Sequence, residues 1–169
     1  ISFTNSWLTI LFDKFFEPCS FAFRAIPHKI VNHHTAIREI LQYRLLYATQ
    51  SLWVGECDMQ KFFDSVDHKV IISQFEKLLE LSKSTYPHLK LSRATNIFYS
   101  YLASYSFNQN ILPRNSDDSH WMAYKILRGQ YGWISNEINE YGLYKDIGEE
   151  RIGIPQGGAL SGLIANIVL

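Results

Sequence analysis

Leu52-Trp53-Val54-Gly55-Glu56-Cys57-Asp58-Met59-Gln60-Lys61-Phe62-Phe63-Asp64-Ser65-Val66-Asp67-His68 is the stretch from which the fold is read. Leu52-Trp53-Val54 is a short apolar run of the kind that forms a buried strand. Beyond the stretch, Val70, Ile71, Phe75, Leu78 and Leu79 recur at helical spacing, which predicts a helix running to about Leu81. Asp67 stands where an N-cap belongs, with an oxygen to offer the first backbone N–H groups. Asp58 therefore falls at the carboxyl end of a core strand, followed by two aromatics and a turn. A buried aspartate is costly unless it is hydrogen-bonded, paired or bound to a metal. The carboxyl ends of core strands are also common ligand positions in α/β sheets. Two readings of Asp58 stay open, metal ligand and turn aspartate. For Asp64 and Asp67 the turn or cap reading is preferred. Cys57 is expected to be a small buried residue.

Outward from this stretch, the composition bounds the class. The chain has 169 residues, 47% of them hydrophobic and 15% aromatic, enough for one domain with a core and too apolar for disorder. Sixteen basic and sixteen acidic residues cancel, so no global charge advertises nucleic-acid binding. Two cysteines at positions 19 and 57 have neither disulfide nor metal spacing and fit a reducing cytoplasm. No apolar run reaches transmembrane length, and no signal-peptide pattern opens the chain. The start at Ile1 and the end in an apolar pattern suggest a fragment.

Upstream, Trp7, Leu8, Ile10, Leu11, Phe15 and Phe16 predict an amphipathic helix closed by Pro18. Phe21-Ala22-Phe23-Arg24 ends in a cation whose planar fork suits a phosphate or a carboxylate; a structural ion pair is the plainer role. His28, His33 and His34 lack a second ligand set and read as solvated. Thr35 is a candidate N-cap for a helix with Ala36, Ile37, Ile40, Leu41, Leu45 and Ala48 on one face. Downstream, residues 89–105 predict a helix with Ile97, Phe98, Tyr101 and Leu102 on one side. Residues 106–120 read as a surface loop containing Asp117 and Asp118, and residues 121–127 as a short helix. The chain closes on Gly153-Ile154-Pro155-Gln156-Gly157-Gly158-Ala159-Leu160-Ser161-Gly162-Leu163-Ile164-Ala165-Asn166. This is a glycine turn feeding an apolar helix near Ser161, a place that suits anionic groups. It matches neither a P-loop nor a dinucleotide fingerprint. Gln156 at the turn offers both a donor and an acceptor to a ligand, or caps the helix.

Taken together, these blocks resemble the reverse transcriptases of group II introns, retrons and diversity-generating elements. Asp58, Phe63, Asp64, Asp67 and His68 match the Asp-x-x-x-x-Phe-Asp-x-x-Asp-His block. Pro155, Gln156, Gly157, Ser161, Ala165 and Asn166 match the Pro-Gln-Gly block and its continuation. Phe21-Ala22-Phe23-Arg24 with His34-Thr35-Ala36-Ile37 is similar to the Phe-Gly-Phe-Arg block and its follow-on. Ala22 and Gly162 depart from the family pattern, and Gly162 is expected to loosen its helix.

The resemblance implies an α+β fold: a polymerase palm, with a small antiparallel sheet packed on helices, and part of a helical fingers region. Residues 1–50 would be partial fingers and residues 51–169 partial palm, with an insertion around 106–150. It implies RNA-directed DNA polymerase activity using Mg²⁺, with Asp58 as a catalytic metal ligand and the Met59 carbonyl beside it. Phe63 would be the steric gate under the sugar, with Phe62 turned into the core. Gln156 and Gly157 would meet the incoming nucleotide, and Arg24 the template or nucleotide. The implied partners are an RNA template, a nucleic-acid primer and dNTPs, with a cognate structured RNA as a further candidate and no membrane. Two further carboxylates are expected outside the chain, so residues 1–169 alone should be inactive. The rivals are a template-independent defence relative and a catalytically inactive relative acting in RNA binding or as a maturase.

Overall fold

The computed structural model describes residues 1–59, 61–112, 140, 146 and 148–169. Asp117, Asp118 and the helix expected at 121–127 lie outside these. Seven α-helices occur among the described residues. They are α1 (Ser2–Phe12), α2 (His33–Leu46), α3 (Phe62–Ser65), α4 (His68–Thr85), α5 (Ser92–Ala103), α6 (Phe107–Asn110) and α7 (Ser161–Val168), and α1 runs into a 3₁₀ turn at Asp13–Phe15.

Sequence patterning explains the core. α4 buries Ile71, Phe75 and Leu79, three residues four apart that form one stripe. Asp67 caps this helix by accepting from the Lys69 N–H at 2.7 Å, and the helix runs a turn past Leu81. Phe75 is the pivot. It stacks on Phe98 of α5, with ring centroids 3.7 Å apart and planes 6° off parallel, and meets Phe12 of α1 edge-on at 5.7 Å. Leu8 and Leu11 of α1, Leu102 of α5 and Leu163, Ile164 and Ile167 of α7 complete the cluster. α7 packs on α4 and α1, and α1 also touches α5.

The expected α+β palm is not what forms. Among the described residues there is no β-strand and no sheet. The only extended pairing among the described residues is a single antiparallel bridge between Asp67 and Ile152. Leu52, Trp53 and Val54 lie exposed, Trp53 at 96%, and the backbone through Asp58 is irregular. A strand is held by its partner's N–H and C=O groups, and none of the described segments supplies that row to residues 52–58. Cys57, expected to be buried, is exposed with the rest of this segment.

Smaller corrections follow the same logic. Asn32, not Thr35, caps α2: its side chain accepts from the His34 and Thr35 N–H groups, and Thr35 answers as the third residue of a capping box. The start of the expected 106–120 loop is instead the short helix α6, with Ser106, Phe107 and Asn108 buried. Phe107 N–H donates to the Ile152 carbonyl at 2.7 Å, and the Asn108 amide donates to the Glu150 carbonyl. The chain at 150–152 is thereby fixed from one side. No helix among the described residues is long and apolar enough to cross a membrane.

Candidate functional site

Three segments far apart in sequence meet around residues 151–166. The first meeting is between residues 62–68 and residues 151–154. The Ile154 N–H donates to the Phe63 carbonyl at 2.7 Å, Gly153 N–H to the Val66 carbonyl at 2.8 Å, and His68 N–H to the Arg151 carbonyl at 3.0 Å. The His68 ring closes the joint, with Nε2 2.7 Å from the Gly153 carbonyl. A carbonyl only accepts, so Nε2 carries the proton. Burial pushes this imidazole down, the Gly153 bond lifts it, and the charges of Arg151 and Asp67 oppose each other; the net direction is down. Gly153 has φ +76°, and a Cβ there would fall 2.7 Å from the Asp64 carbonyl oxygen. Only glycine allows both the backbone angle and the approach.

The second meeting is between residues 20–24 and α7. Asn166 Nδ2 donates to the Ala22 carbonyl at 2.8 Å and the Phe23 carbonyl at 3.2 Å, while its Oδ1 accepts from Ser20 Oγ at 3.0 Å. Gly162, expected to loosen the helix, sits in an unbroken first turn, and the Phe23 ring lies over it.

Between these joints stands the turn Pro155-Gln156-Gly157-Gly158. The Gly158 N–H donates to the Pro155 carbonyl at 3.0 Å, and Gly157 has φ +72°, as the third position of a type II turn requires. Gln156 and Gly157 are both exposed, and among the described residues the Gln156 amide makes no hydrogen bond. The capping role for Gln156 is therefore not taken up. Tyr101 of α5 underlies the turn, its hydroxyl against Gly158.

The remaining predicted residues are placed differently. All five N–H groups of Arg24 are engaged: Nε and one terminal nitrogen grip both Asp13 carboxylate oxygens, and the others donate to the carbonyls of Asp13, Glu17 and Ser20. Its side chain is 6% exposed. Burial pushes the Asp13 carboxyl up, but the bonds from Arg24 and the Ala25 N–H, with the Arg24 charge, outweigh it and hold the group below its usual range. Phe62 and Phe63 are both half-buried and meet edge-on at 5.3 Å, so the expected division into a core ring and an outward ring is not drawn. Asp64 is half-buried too; desolvation pushes its carboxyl up against the pull of Lys61.

Asp58 is exposed, and the Met59 carbonyl accepts from the Phe62 N–H at 3.4 Å. No group of three acidic, histidine or cysteine side chains able to hold a metal occurs among the described residues. One carboxylate is a usual Mg²⁺ anchor only alongside further oxygen ligands. These residues by themselves do not make a Mg²⁺ site. A cleft of about 690 Å³ opens along α5 between Ser92 and Ser104, and none of Asp58, Phe63, Gln156 or Gly157 lines it.

Periodicity gave no sign of the roles of His68, Gly153, Gly162 and Asn166. His68 and Asn166 were signalled by membership of the motif blocks, without a job attached; Gly162 stood out only as a departure from the family pattern, and Gly153 carried no signal beyond being a glycine. Comparison with protein-family models, with curated proteins and with solved structures finds no match to this chain.

Proposed function

We propose that this chain is part of an RNA-directed DNA polymerase of the reverse transcriptase kind, acting on an RNA template, a primer and dNTPs. The observation that carries the reading is the meeting of parts of all three motif blocks at residues 151–166: Phe63 and His68 bond to Ile154 and Gly153 on one side, and Ala22 and Phe23 to Asn166 on the other.

In this reading the turn at 155–158 is the nucleotide-facing element. Gln156 contributes an amide with no hydrogen bond among the described residues, and Gly157 a backbone with nothing described within 4 Å of a built Cβ. Phe63, whose backbone is tied to Ile154, is the proposed sugar gate. Arg24 braces Asp13 and is withdrawn from ligand contact. Asp58 is proposed as one Mg²⁺ ligand, with the other acidic ligands drawn from outside the described residues. Bound Mg²⁺ would supply the charge that nucleotidyl transfer requires.

The isolation of Asp58 among the described residues favours a second reading, a catalytically silent RNA-binding relative. Primer extension by the intact protein on an RNA template with dNTPs and Mg²⁺ separates the two. The polymerase reading expects extension by the wild type, and its loss in Asp58→Asn with an unchanged unfolding midpoint. Extension undiminished in Asp58→Asn overturns the site. RNA binding without extension by the wild type supports the silent relative.

A further inference from the structure

Phe23 and Arg24 are neighbours with opposite fates. Arg24 is folded under its own backbone and spends every donor on Asp13, Glu17 and Ser20. Phe23 is held outward, 60% exposed, with its backbone in the left-handed region at φ +53°. That region is sparsely populated by bulky side chains, and its occupation by an aromatic is a genuine outlier. Such conformations persist where the surroundings over-determine them, and they cluster at functional sites.

The surroundings here are specific. Asn166 holds the carbonyls on both sides of the Phe23 amide arrangement, those of Ala22 and Phe23 itself, while its own oxygen takes the Ser20 hydroxyl. Gly162 provides a floor without a side chain: a Cβ there would fall 2.5 Å from Phe23 Cδ1. The ring thus rests by one side on the first turn of α7, immediately after the 155–158 turn, and leaves its remaining surface to solvent. Burial of apolar surface would draw the ring inward, and this arrangement prevents it.

We propose that Phe23 is a stacking platform for a nucleobase beside the Pro155–Gly158 turn. The inference rests on the reverse transcriptase reading for the identity of its ligand. A flat apolar ring stacks on any base, so it contributes affinity without sequence preference. Arg24 takes no part in the contact; it fixes the loop from which the ring projects.

The test uses the intact protein as wild type, Phe23→Ala, Phe23→Leu and Phe23→Trp. Affinity for a fluorescent single-stranded RNA oligonucleotide is read by anisotropy, and the KM for dNTP by primer extension. Loss of a base–aromatic stack should weaken binding roughly tenfold in Ala and Leu, while Trp stays near wild type. A fall in RNA affinity alone identifies a base of the single strand as the occupant; a rise in dNTP KM alone identifies the incoming base. Leu equal to wild type in both measurements overturns the platform, whether or not Ala is impaired, because it makes the ring merely apolar bulk. If the wild type makes no DNA yet RNA affinity still follows the ring, the platform stands and the polymerase reading falls. If the wild type neither binds RNA nor extends a primer, both fall.

Discussion

Residues 17–59 and residues 62–112 are about equally rich in apolar side chains, yet they fold to different ends. From 62 onward, the apolar stripes of α4 and α5 close on Phe75 and Phe98 with α1 and α7. Between 17 and 59 no residue is buried, and α2 leaves Ile37, Ile40, Leu41, Leu45 and Leu46 exposed. Periodicity states which face of a helix is apolar. Whether that face finds a partner depends on what the rest of the chain brings to it. The helix of α2 is nonetheless well formed, because its Asn32–Thr35 capping box satisfies the first N–H groups locally.

Matched aromatic truncations in the two regions should differ most. Phe75→Ala should cost about 3–5 kcal/mol, because a fully buried ring stacked on Phe98 leaves a cavity. Trp53→Ala, at an almost fully exposed position, should stay within about 0.5 kcal/mol. Urea unfolding of both variants checks this, and a Trp53→Ala loss as large as that of Phe75→Ala breaks the contrast.

Next in size is the Arg24–Asp13 pair, one of the ties that hold the exposed region to the rest. Arg24→Ala leaves Asp13 buried without its guanidinium and should cost up to about 3 kcal/mol, the low end for a broken buried pair, since the Ala25 N–H stays on the carboxylate. Thermal unfolding measures it, and a loss under about 0.5 kcal/mol would reduce the pair to a surface contact.

Smaller again is the His68 joint. His68→Leu leaves the buried Gly153 carbonyl unpaired and should cost about 1–3 kcal/mol. The pH dependence has a definite sign. The folded imidazole titrates below its ordinary value of 6.5, so the unfolded chain binds the proton first. Its contribution is complete above that ordinary value and is lost as pH falls through it toward the lower folded value. Unfolding midpoints of the wild type and His68→Gln across pH 5 to 8 should diverge above and converge on acidification, at roughly the reference histidine pKa. A wild type that gains stability relative to His68→Gln on acidification contradicts the placement of the ring.

These residues also mark what the sequence could disclose. The helical stripe at Ile71, Phe75 and Leu79 and the Asp67 cap were legible because both are local, set by spacing within one or two turns. The expected strand at 52–54 does not form, because strand formation depends on a distant partner and a three-residue apolar run carries no information about one. Cys57 followed it outward. The 155–158 turn was legible from Pro155 and its glycines. The tie between Gly153 and Asp64, and the one between Gly162 and Phe23, were not, because a glycine at a close approach looks in sequence like any other glycine. Arg24 was open between ligand and brace, and only the position of Asp13 decides it.

Whether the 155–158 turn faces a nucleotide, as proposed, is decided by two measurements on one variant, Gln156→Ala. The amide makes no hydrogen bond among the described residues, so its removal should leave the melting temperature unchanged. Its loss should raise the KM for dNTPs or lower kcat by a factor of roughly 2–12, the equivalent of a net hydrogen bond of about 0.5–1.5 kcal/mol. A lowered melting temperature with unaltered kinetics would contradict the account and make Gln156 a structural residue of the turn.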